Sequence, residues 1–337
     1  MPRTYRVAVA GLTHDHVWGL LRWWREASGA ELVAAADPNQ PLLDKVAETC
    51  GVKQTYLSYE DLLDREEIDI LTIATDNAGT AEIVEAAAAR GIHVITEKPM
   101  SATLAQADRM VTACRKAGVQ LMVNWPKAWN PAIQTLDRLV REGAIGPVHK
   151  VKYLAAHQGP KEIGCSRYFY EWLYDPARNG AGALMDYCCY GSNLAAHWLG
   201  RPTSVVGIAG TLVKPDFPVE DNAIVLMKYP HAFGVAEASW TQQAPDGGAN
   251  PSVFGSTGTL SAFGGRVRWG RLDREPEWLE PDAPSPGRRN GAEYLLSCLE
   301  SGTPVEGMCS AATSRMAQEI LQRGLESAVS GREIELD

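Results

Sequence analysis

The chain has 337 residues, 45% of them hydrophobic, which is ample for a sizeable core divided between two domains. Its formal net charge of −9, from 32 basic and 41 acidic residues, argues against a nucleic acid or an anionic membrane as the main partner and leaves a small molecule. Seven scattered cysteines, without paired metal-type spacing, point to free thiols in a reducing cytoplasm, so neither disulfide nor metal is expected. Met1-Pro2-Arg3-Thr4-Tyr5 runs straight into a strand, and no apolar stretch approaches the ~20 residues that span a bilayer. A soluble, unexported protein is the expectation.

The first third alternates short apolar or β-branched runs with longer helical patterns. Residues 5–10, 31–36, 70–74, 93–96 and 120–123 read as buried strands. Residues 17–27, 41–50, 80–90 and 103–117 read as helices between them, the last two closing on glycine after a basic residue. Such alternation implies a parallel sheet with right-handed crossovers. A further helix is expected over 131–142. After Pro147 the pattern changes: 148–155, 204–213, 223–229, 234–240 and 253–256 have strand character with turn residues between, which suits a largely antiparallel sheet covered on one face. Residues 182–199 read as a helix rich in small residues, 292–301 and 311–330 as late helices, and the proline-rich stretch 275–289 as an exposed loop or lid. The expected fold class is therefore α/β: an N-terminal Rossmann dinucleotide-binding domain over 1–124, then an α+β domain with an open, largely antiparallel sheet over 125–337. The last helices of the second domain are free to pack back on the first.

The chemistry-bearing residues cluster at strand ends. Lys98, in Glu97-Lys98-Pro99, stands at the carboxyl end of a sheet strand, the edge where open α/β sheets bind ligands. The first strand ends in Gly11-Leu12-Thr13-His14-Asp15-His16, where a dinucleotide fold places its glycine-rich turn. Only the first glycine of G-x-G-x-x-G is present; Thr13 and His16 hold the other two positions. An ordinary strand-to-helix turn with polar caps would read the same way. Asp37, roughly 20 residues on, suits an acceptor for an adenosine ribose diol and would repel a 2′-phosphate, which favours NAD over NADP; the alternative is a solvated turn aspartate. Thr75 and Asn77, after the third predicted strand, would line the cofactor or simply cap a helix.

The order of glycine turn, Asp37, Thr75-Asp76-Asn77, Glu97-Lys98-Pro99 and Gly180-Ala181-Gly182-Ala183-Leu184-Met185-Asp186 resembles the glucose-fructose oxidoreductase and inositol dehydrogenase (Gfo/Idh/MocA) family over nearly the whole chain. Val219-Glu220-Asp221-Asn222 and Gly255-Ser256-Thr257-Gly258 resemble two further segments of that family's C-terminal domain. The resemblance implies that Lys98 sits beside the nicotinamide and contacts the reacting hydroxyl, where an ammonium would stabilise a developing alkoxide. It implies cofactor contacts from Gly11, Leu12, Thr13, His14, His16, Asp37, Thr75, Asn77, Glu97, Lys98 and Asn124. Most members carry Asp-x-Gly-x-His-x-x-Asp after the glycine-alanine segment; here the histidine position is Tyr190 and the second aspartate is Asn193. This is similar to the family's tyrosine-type branch, in which the tyrosine acts as acid-base, so Lys98, Tyr190 and Asp186 are the expected catalytic set. A phenol titrates near ~10, so Tyr190 needs a cation such as Lys98 to accept a proton near neutrality. The plain alternative is a packing tyrosine with a satisfied hydroxyl.

Trp125, His157, Trp172 and Asn193 are the candidates for substrate contact, aromatic faces suiting the C–H faces of sugars; for the aromatics and His157, core packing is the competing explanation. No histidine has a partner spacing that argues for metal. The resemblance implies an NAD(P)-dependent dehydrogenase for a secondary alcohol or ketone of a sugar, cyclitol or related cyclic polyol, acting as a homodimer or homotetramer. Trp240 and the run 224–226 lie either on the subunit face or under the domain's own helices. Two rivals remain at this stage: an enzyme that retains NAD for elimination, hydrolysis or epimerisation, and a non-catalytic ligand-binding relative.

Overall fold

The structure is a computed structural model that describes residues 3–244 and 248–336; Met1 and Pro2, read above as the lead into the first strand, lie outside them. The first half runs β1 (Tyr5–Ala10), α1 (Val17–Glu26), β2 (Ala30–Ala36), α2 (Gln40–Cys50), β3 (Gln54–Tyr56), α3 (Tyr59–Arg65), β4 (Ile70–Ile73), α4 (Thr80–Ala88), β5 (His93–Glu97), α5 (Leu104–Ala117) and β6 (Leu121–Asn124). All its strand pairs are parallel, in the order β3-β2-β1-β4-β5-β6. The order reverses beside β1, and the crevice at that reversal is where such sheets bind ligands. Buried strands with near-continuous apolar character explain why this half follows the sequence reading closely. The exceptions are β3, only three residues long with Gln54 exposed, and α3, a single short segment capped by Ser58 on the Asp61 amide.

A one-turn 3-10 helix (Pro126–Trp129) leads into α6 (Pro131–Arg141), capped by the Asn130 side chain. Then follow β7 (Val148–Ala156), α7 (Arg167–Leu173), α8 (Pro176–Asn179), a π-helical turn (Leu184–Cys188), α9 (Cys189–Leu199), β8 (Ser204–Gly210), β9 (Asn222–Lys228), β10 (Phe233–Ser239), β11 (Ser252–Gly255), β12 (Gly258–Phe263), β13 (Arg266–Arg271), β14 (Glu277–Leu279), α10 (Gly291–Ser301), α11 (Ala311–Ser330) and β15 (Ile334–Glu335). The second sheet has nine strands in the order β14-β13-β12-β11-β7-β10-β9-β8-β15. Its neighbours are antiparallel except β7 and β10, which run parallel. Strands β9 and β10 alternate buried and more exposed residues, because α9 and α11 cover one face only. α9 lies so close to the sheet that a Cβ on Gly191 would stand 2.5 Å from that of Ala236 in β10. This close approach seats Tyr190 against β7.

Three sequence expectations change here. The stretch 275–289 is not wholly loop: β14 adds an edge strand, and Asp282 is held by the Thr135 hydroxyl and the Arg138 guanidinium of α6. The helix expected over 182–199 opens with a π turn. Trp240 is fully buried, whereas Ile224 and Leu226 point out with Ile208 and Phe233. The late helix α11 touches the first half directly, Arg315 pairing with Asp108 of α5, and it also holds Trp125 just after β6, whose Nε1 donates to Ser314 Oγ at 3.0 Å.

Candidate active site at the sheet edge

The turn 11–16 is shaped by its own backbone. Gly11 has φ +83°, and a Cβ there would stand 2.8 Å from both the Cβ and the amide nitrogen of Thr75, so only glycine fits. The Gly11 amide donates to Ala36 O (2.8 Å), the Leu12 amide to Asp37 Oδ2 (2.6 Å) and the His14 amide to Ala74 O (3.0 Å), pinning the turn to the ends of β2 and β4. Below it Val9, Leu12, Val17, Leu21, Leu43 and Val46 pack as a small core of their own. Thr13 Oγ1 is buried with no hydrogen-bond partner among the described residues. An orphaned hydroxyl in a turn of amides just before a helix suits an anionic phosphate, so the residues present fit a nucleotide even though two glycines of the usual turn are missing.

The side chains around the turn are more committed than the sequence suggests. Asp37 is buried; Oδ1 accepts from both the amide and side chain of Asn39, and Oδ2 from Leu12, leaving the carboxylate little capacity for a ribose. Asn77 donates to Asn179 Oδ1 at 2.7 Å and so ties the loop before α4 to α8; its side chain serves this joint, and the expectation that it lines a cofactor is corrected to that extent. Thr75 backs Gly11. His14 is buried against Phe169 (ring centres 4.4 Å) and Trp172 (5.7 Å). Burial first, then His16 and Lys98, hold its pKa well below the ordinary value. His16 Nδ1 lies 3.0 Å from Glu97 Oε2. No metal is expected from the sequence; the structure nevertheless brings ligand atoms of His14, His16 and Glu97 within 4.8 Å of one another, with His14 Nδ1 accepting from the His16 amide at 3.3 Å.

On the other side of the crevice Lys98 directly follows β5 and is joined to Pro99 by a cis bond. Its ammonium is 1% exposed, donates to Asp186 Oδ1 at 2.7 Å and to Asp186 O at 3.3 Å, and stands 4.9 Å from the centre of the Tyr190 ring. Burial opposes the charge, but the Asp186 carboxylate outweighs it, and Lys98 titrates well above a normal lysine. Glu97 Oε1 accepts from Asn124 Nδ2 (2.6 Å), and Trp129 Nε1 donates to Asn124 Oδ1 (2.8 Å), so the ends of β5 and β6 are cross-linked. Asp186 lies on the π turn, an irregularity frequent at functional sites. Glu220 holds that turn by accepting from the Gly182 and Leu184 amides at 2.7 and 2.9 Å.

Tyr190 is enclosed by Trp125 (6.1 Å), Tyr153 (5.8 Å) and Tyr187 (6.0 Å). Its hydroxyl has no hydrogen-bond partner among the described residues. Burial raises its pKa and Lys98 lowers it; burial wins, because Asp186 already neutralises much of the Lys98 charge. The phenol is thus protonated at neutral pH, where the sequence suggested a cation-favoured phenolate.

Three expected substrate contacts are packing residues in this structure. Trp172 has no exposed surface and lies over His14; Trp125 is 2% exposed and bonded to Ser314; Asn193 is 1% exposed and donates to Met308 O at 3.0 Å. Their side chains face the interior because α7, α9 and the residue after β6 all turn that face to the core. His157 is half-buried, edge-on to Tyr187 at 4.7 Å, with Nδ1 accepting from the Gly159 amide; burial lowers its pKa. Tyr153, Tyr187 and Lys127 are site neighbours that sequence reasoning did not single out, and of these only Lys127 carries a sequence signal, its position three residues beyond the end of β6. Glu220 entered the sequence reading only within the family segment Val219-Glu220-Asp221-Asn222.

Residues 5–125 match the family model described as "Oxidoreductase family, NAD-binding Rossmann fold", and residues 133–261 match that of the GFO/IDH/MocA C-terminal domain. D-apiose dehydrogenase of Paraburkholderia graminis is 40% identical over 126 residues, 37% of this chain and 34% of that protein, so the match spans about a third of that relative. D-xylose 1-dehydrogenase (NADP(+)) 2 of Haloferax volcanii is 28% identical over 93% of this chain and 94% of its own. The crystal structure of aldose-aldose oxidoreductase from Caulobacter crescentus complexed with glycerol superposes with a TM-score of 0.83 at 26% identity, covering 99% of this chain and 100% of that one.

Proposed function

This chain belongs to the GFO/IDH/MocA oxidoreductase family, and from that premise we propose that it passes hydride between NAD(H) and a secondary alcohol or ketone of a sugar or cyclic polyol, with Lys98, Tyr190 and Asp186 as its catalytic set. The observation that carries the reading is the Lys98 ammonium held by Asp186 at 2.7 Å and 4.9 Å from the Tyr190 ring, at the carboxyl edge of the parallel sheet. When bound, the nicotinamide supplies or accepts the hydride. The turn 11–16, with Thr13 Oγ1, would hold the pyrophosphate; Asp37, bonded to Leu12 and Asn39, would keep its charge near the ribose without directly binding it, and Thr75, Glu97 and Asn124 would frame the nicotinamide end. Lys98 donates to the reacting oxygen and stabilises the alkoxide, and Asp186 keeps that ammonium in place. In reduction Tyr190 gives its hydroxyl proton to the carbonyl oxygen; in oxidation it takes the alcohol's proton back once it is deprotonated.

NAD is favoured over NADP because the buried Asp37 carboxylate would repel a 2′-phosphate. A second copy of the chain covers the exposed Ile208, Ile224, Leu226 and Phe233 on the open face of the nine-stranded sheet, giving a homodimer or homotetramer. No helix among the described residues is long and apolar enough to cross a membrane, and the free cysteines suit a reducing cytoplasm.

The test is a titration of NAD(H) and NADP(H) by nicotinamide fluorescence, followed by absorbance with a panel of sugars and cyclic polyols. NADH should bind more tightly than NADPH, and Asp37→Asn should narrow that preference by ~10-fold. A protein that binds neither nucleotide would overturn the reading.

A further inference from the structure

Lys127 differs from the other sheltered lysines around the site. Its backbone is fixed in the 3-10 turn, where the Ala128 amide donates to Trp125 O and the Asn130 amide to Lys127 O. Its ammonium stands 5.7 Å from the centre of the Tyr190 ring and 5.9 Å from that of Tyr153. Among the described residues it makes no hydrogen bond and no ion pair. Lys98 has Asp186, and Lys214, also sheltered, has Glu162. The carboxylates nearest the crevice are engaged elsewhere: Asp186 with Lys98, and Glu97 with Asn124 and His16. Tyrosine faces attract a cation only modestly, and a half-buried ammonium without a counter-charge is costly. Burial and Lys98 both lower its pKa, which is the cost seen from the proton's side.

We propose that Lys127 is a specificity-determining residue that receives a carboxylate on the substrate, so that the preferred substrates are sugar acids rather than neutral sugars. The inference rests on the oxidoreductase reading and deepens it. Lys98 and Lys127 both stand within 6 Å of the centre of the same tyrosine ring, so a molecule of hexose size reaches both, with its reacting hydroxyl at Lys98 and its carboxylate at Lys127. A planar carboxylate accepting from Lys127 supplies the missing negative charge and forms a charge-assisted hydrogen bond. A neutral sugar leaves the ammonium as it is.

The experiment is calorimetric titration of wild type, Lys127→Met and Lys127→Arg, each with and without NADH, using glucuronate against glucose, galacturonate against galactose, and glucose 6-phosphate as a separate anion. Wild type should bind at least one uronate ~10-fold or more tightly than its neutral counterpart. In Lys127→Met that ratio should fall towards one, and in Lys127→Arg it should persist. A wild-type ratio near one, no binding of any of the sugars, or an unchanged ratio in Lys127→Met overturns the proposal. Preference for glucose 6-phosphate alone overturns the carboxylate assignment. These ratios need no turnover, whereas failure of the oxidoreductase reading shows separately as absence of nucleotide binding in the fluorescence titration.

Discussion

In the turn 11–16 the amides of Gly11, Leu12 and His14 go to Ala36 O, Asp37 and Ala74 O, and Asp37 is occupied on both oxygens; beside Lys98, by contrast, the Tyr190 hydroxyl and the Lys127 ammonium have no partner among the described residues. The two regions share one sheet edge and use polar groups differently. The nucleotide side directs hydrogen bonds inward to hold a backbone shape, leaving Thr13 Oγ1 as the one orphaned buried side-chain atom of the turn 11–16. The substrate side leaves a phenol hydroxyl and an ammonium, both donors, unpartnered beside one another. Shape can be recognised by a ligand common to many proteins; unpaired charge and an unpaired hydroxyl select the particular substrate.

The largest expected effect comes from breaking the one buried ion pair on the substrate side. Lys98→Met leaves the Asp186 carboxylate buried and unpaired, which should cost about 3–5 kcal/mol of stability. It also removes the donor to the reacting oxygen, so kcat/KM should fall at least ~10³-fold. Urea midpoints and steady-state rates read the two losses separately, and a variant as stable and active as wild type would contradict the pair's assignment. Tyr190→Phe sharpens the contrast, because the hydroxyl it deletes has no hydrogen-bond partner among the described residues. Rates should fall ~10²-fold or more while stability changes by less than about 1 kcal/mol. The sign of the pH dependence follows from the raised phenol pKa: reduction, which needs the protonated form, should be flat through neutrality and decline only in strong alkali, whereas oxidation should climb as pH rises above neutral. In Tyr190→Phe both slopes should vanish. Equal pH profiles in wild type and variant would remove Tyr190 from the proton path.

The nucleotide side was more legible in the sequence than the substrate side, for a physical reason. Gly11, Asp37 and Glu97-Lys98-Pro99 sit at strand ends of a parallel sheet, whose apolar runs are unmistakable and whose ligand edge is fixed by topology. Sequence spacing could not tell that Asp37 faces back to Leu12, or that Asn77 joins Asn179, since these are contacts between segments far apart in the chain. The second sheet was harder. β12, with Gly258 and Ser261, lacks the β-branched alternation that marks a strand and owes its state to pairing with β11 and β13. Trp125 and Trp172 show the limit most plainly. An aromatic near a ligand edge reads alike whether it faces a sugar or a core, and only the packing of α7 and α11 decides it. For Lys127 the sequence offers only its position three residues beyond β6, which does not separate it from a solvated lysine; its missing counter-charge is visible only in the fold.

The smallest expected effect probes the closed side of the comparison. His14 lies under Phe169 and Trp172 with its pKa well below the ordinary 6.5, so it is neutral in the fold and gains a proton more readily when unfolded. The unfolded chain therefore binds more protons below that value. The stability His14 contributes is fully present above the unfolded pKa and is lost as pH falls from about 6.5 through the lower folded value, each unit of separation being worth about 1.4 kcal/mol. Replacing His14 by Phe removes the proton site while keeping an apolar ring between Phe169 and Trp172. Urea midpoints measured at pH 7.5 and at pH 5.5, values chosen to bracket about 6.5, should fall for wild type and fall less for His14→Phe. Parallel losses in the two proteins would mean that His14 is open to protons in the native state, and with it that the turn 11–16 is far less closed than its hydrogen bonds make it.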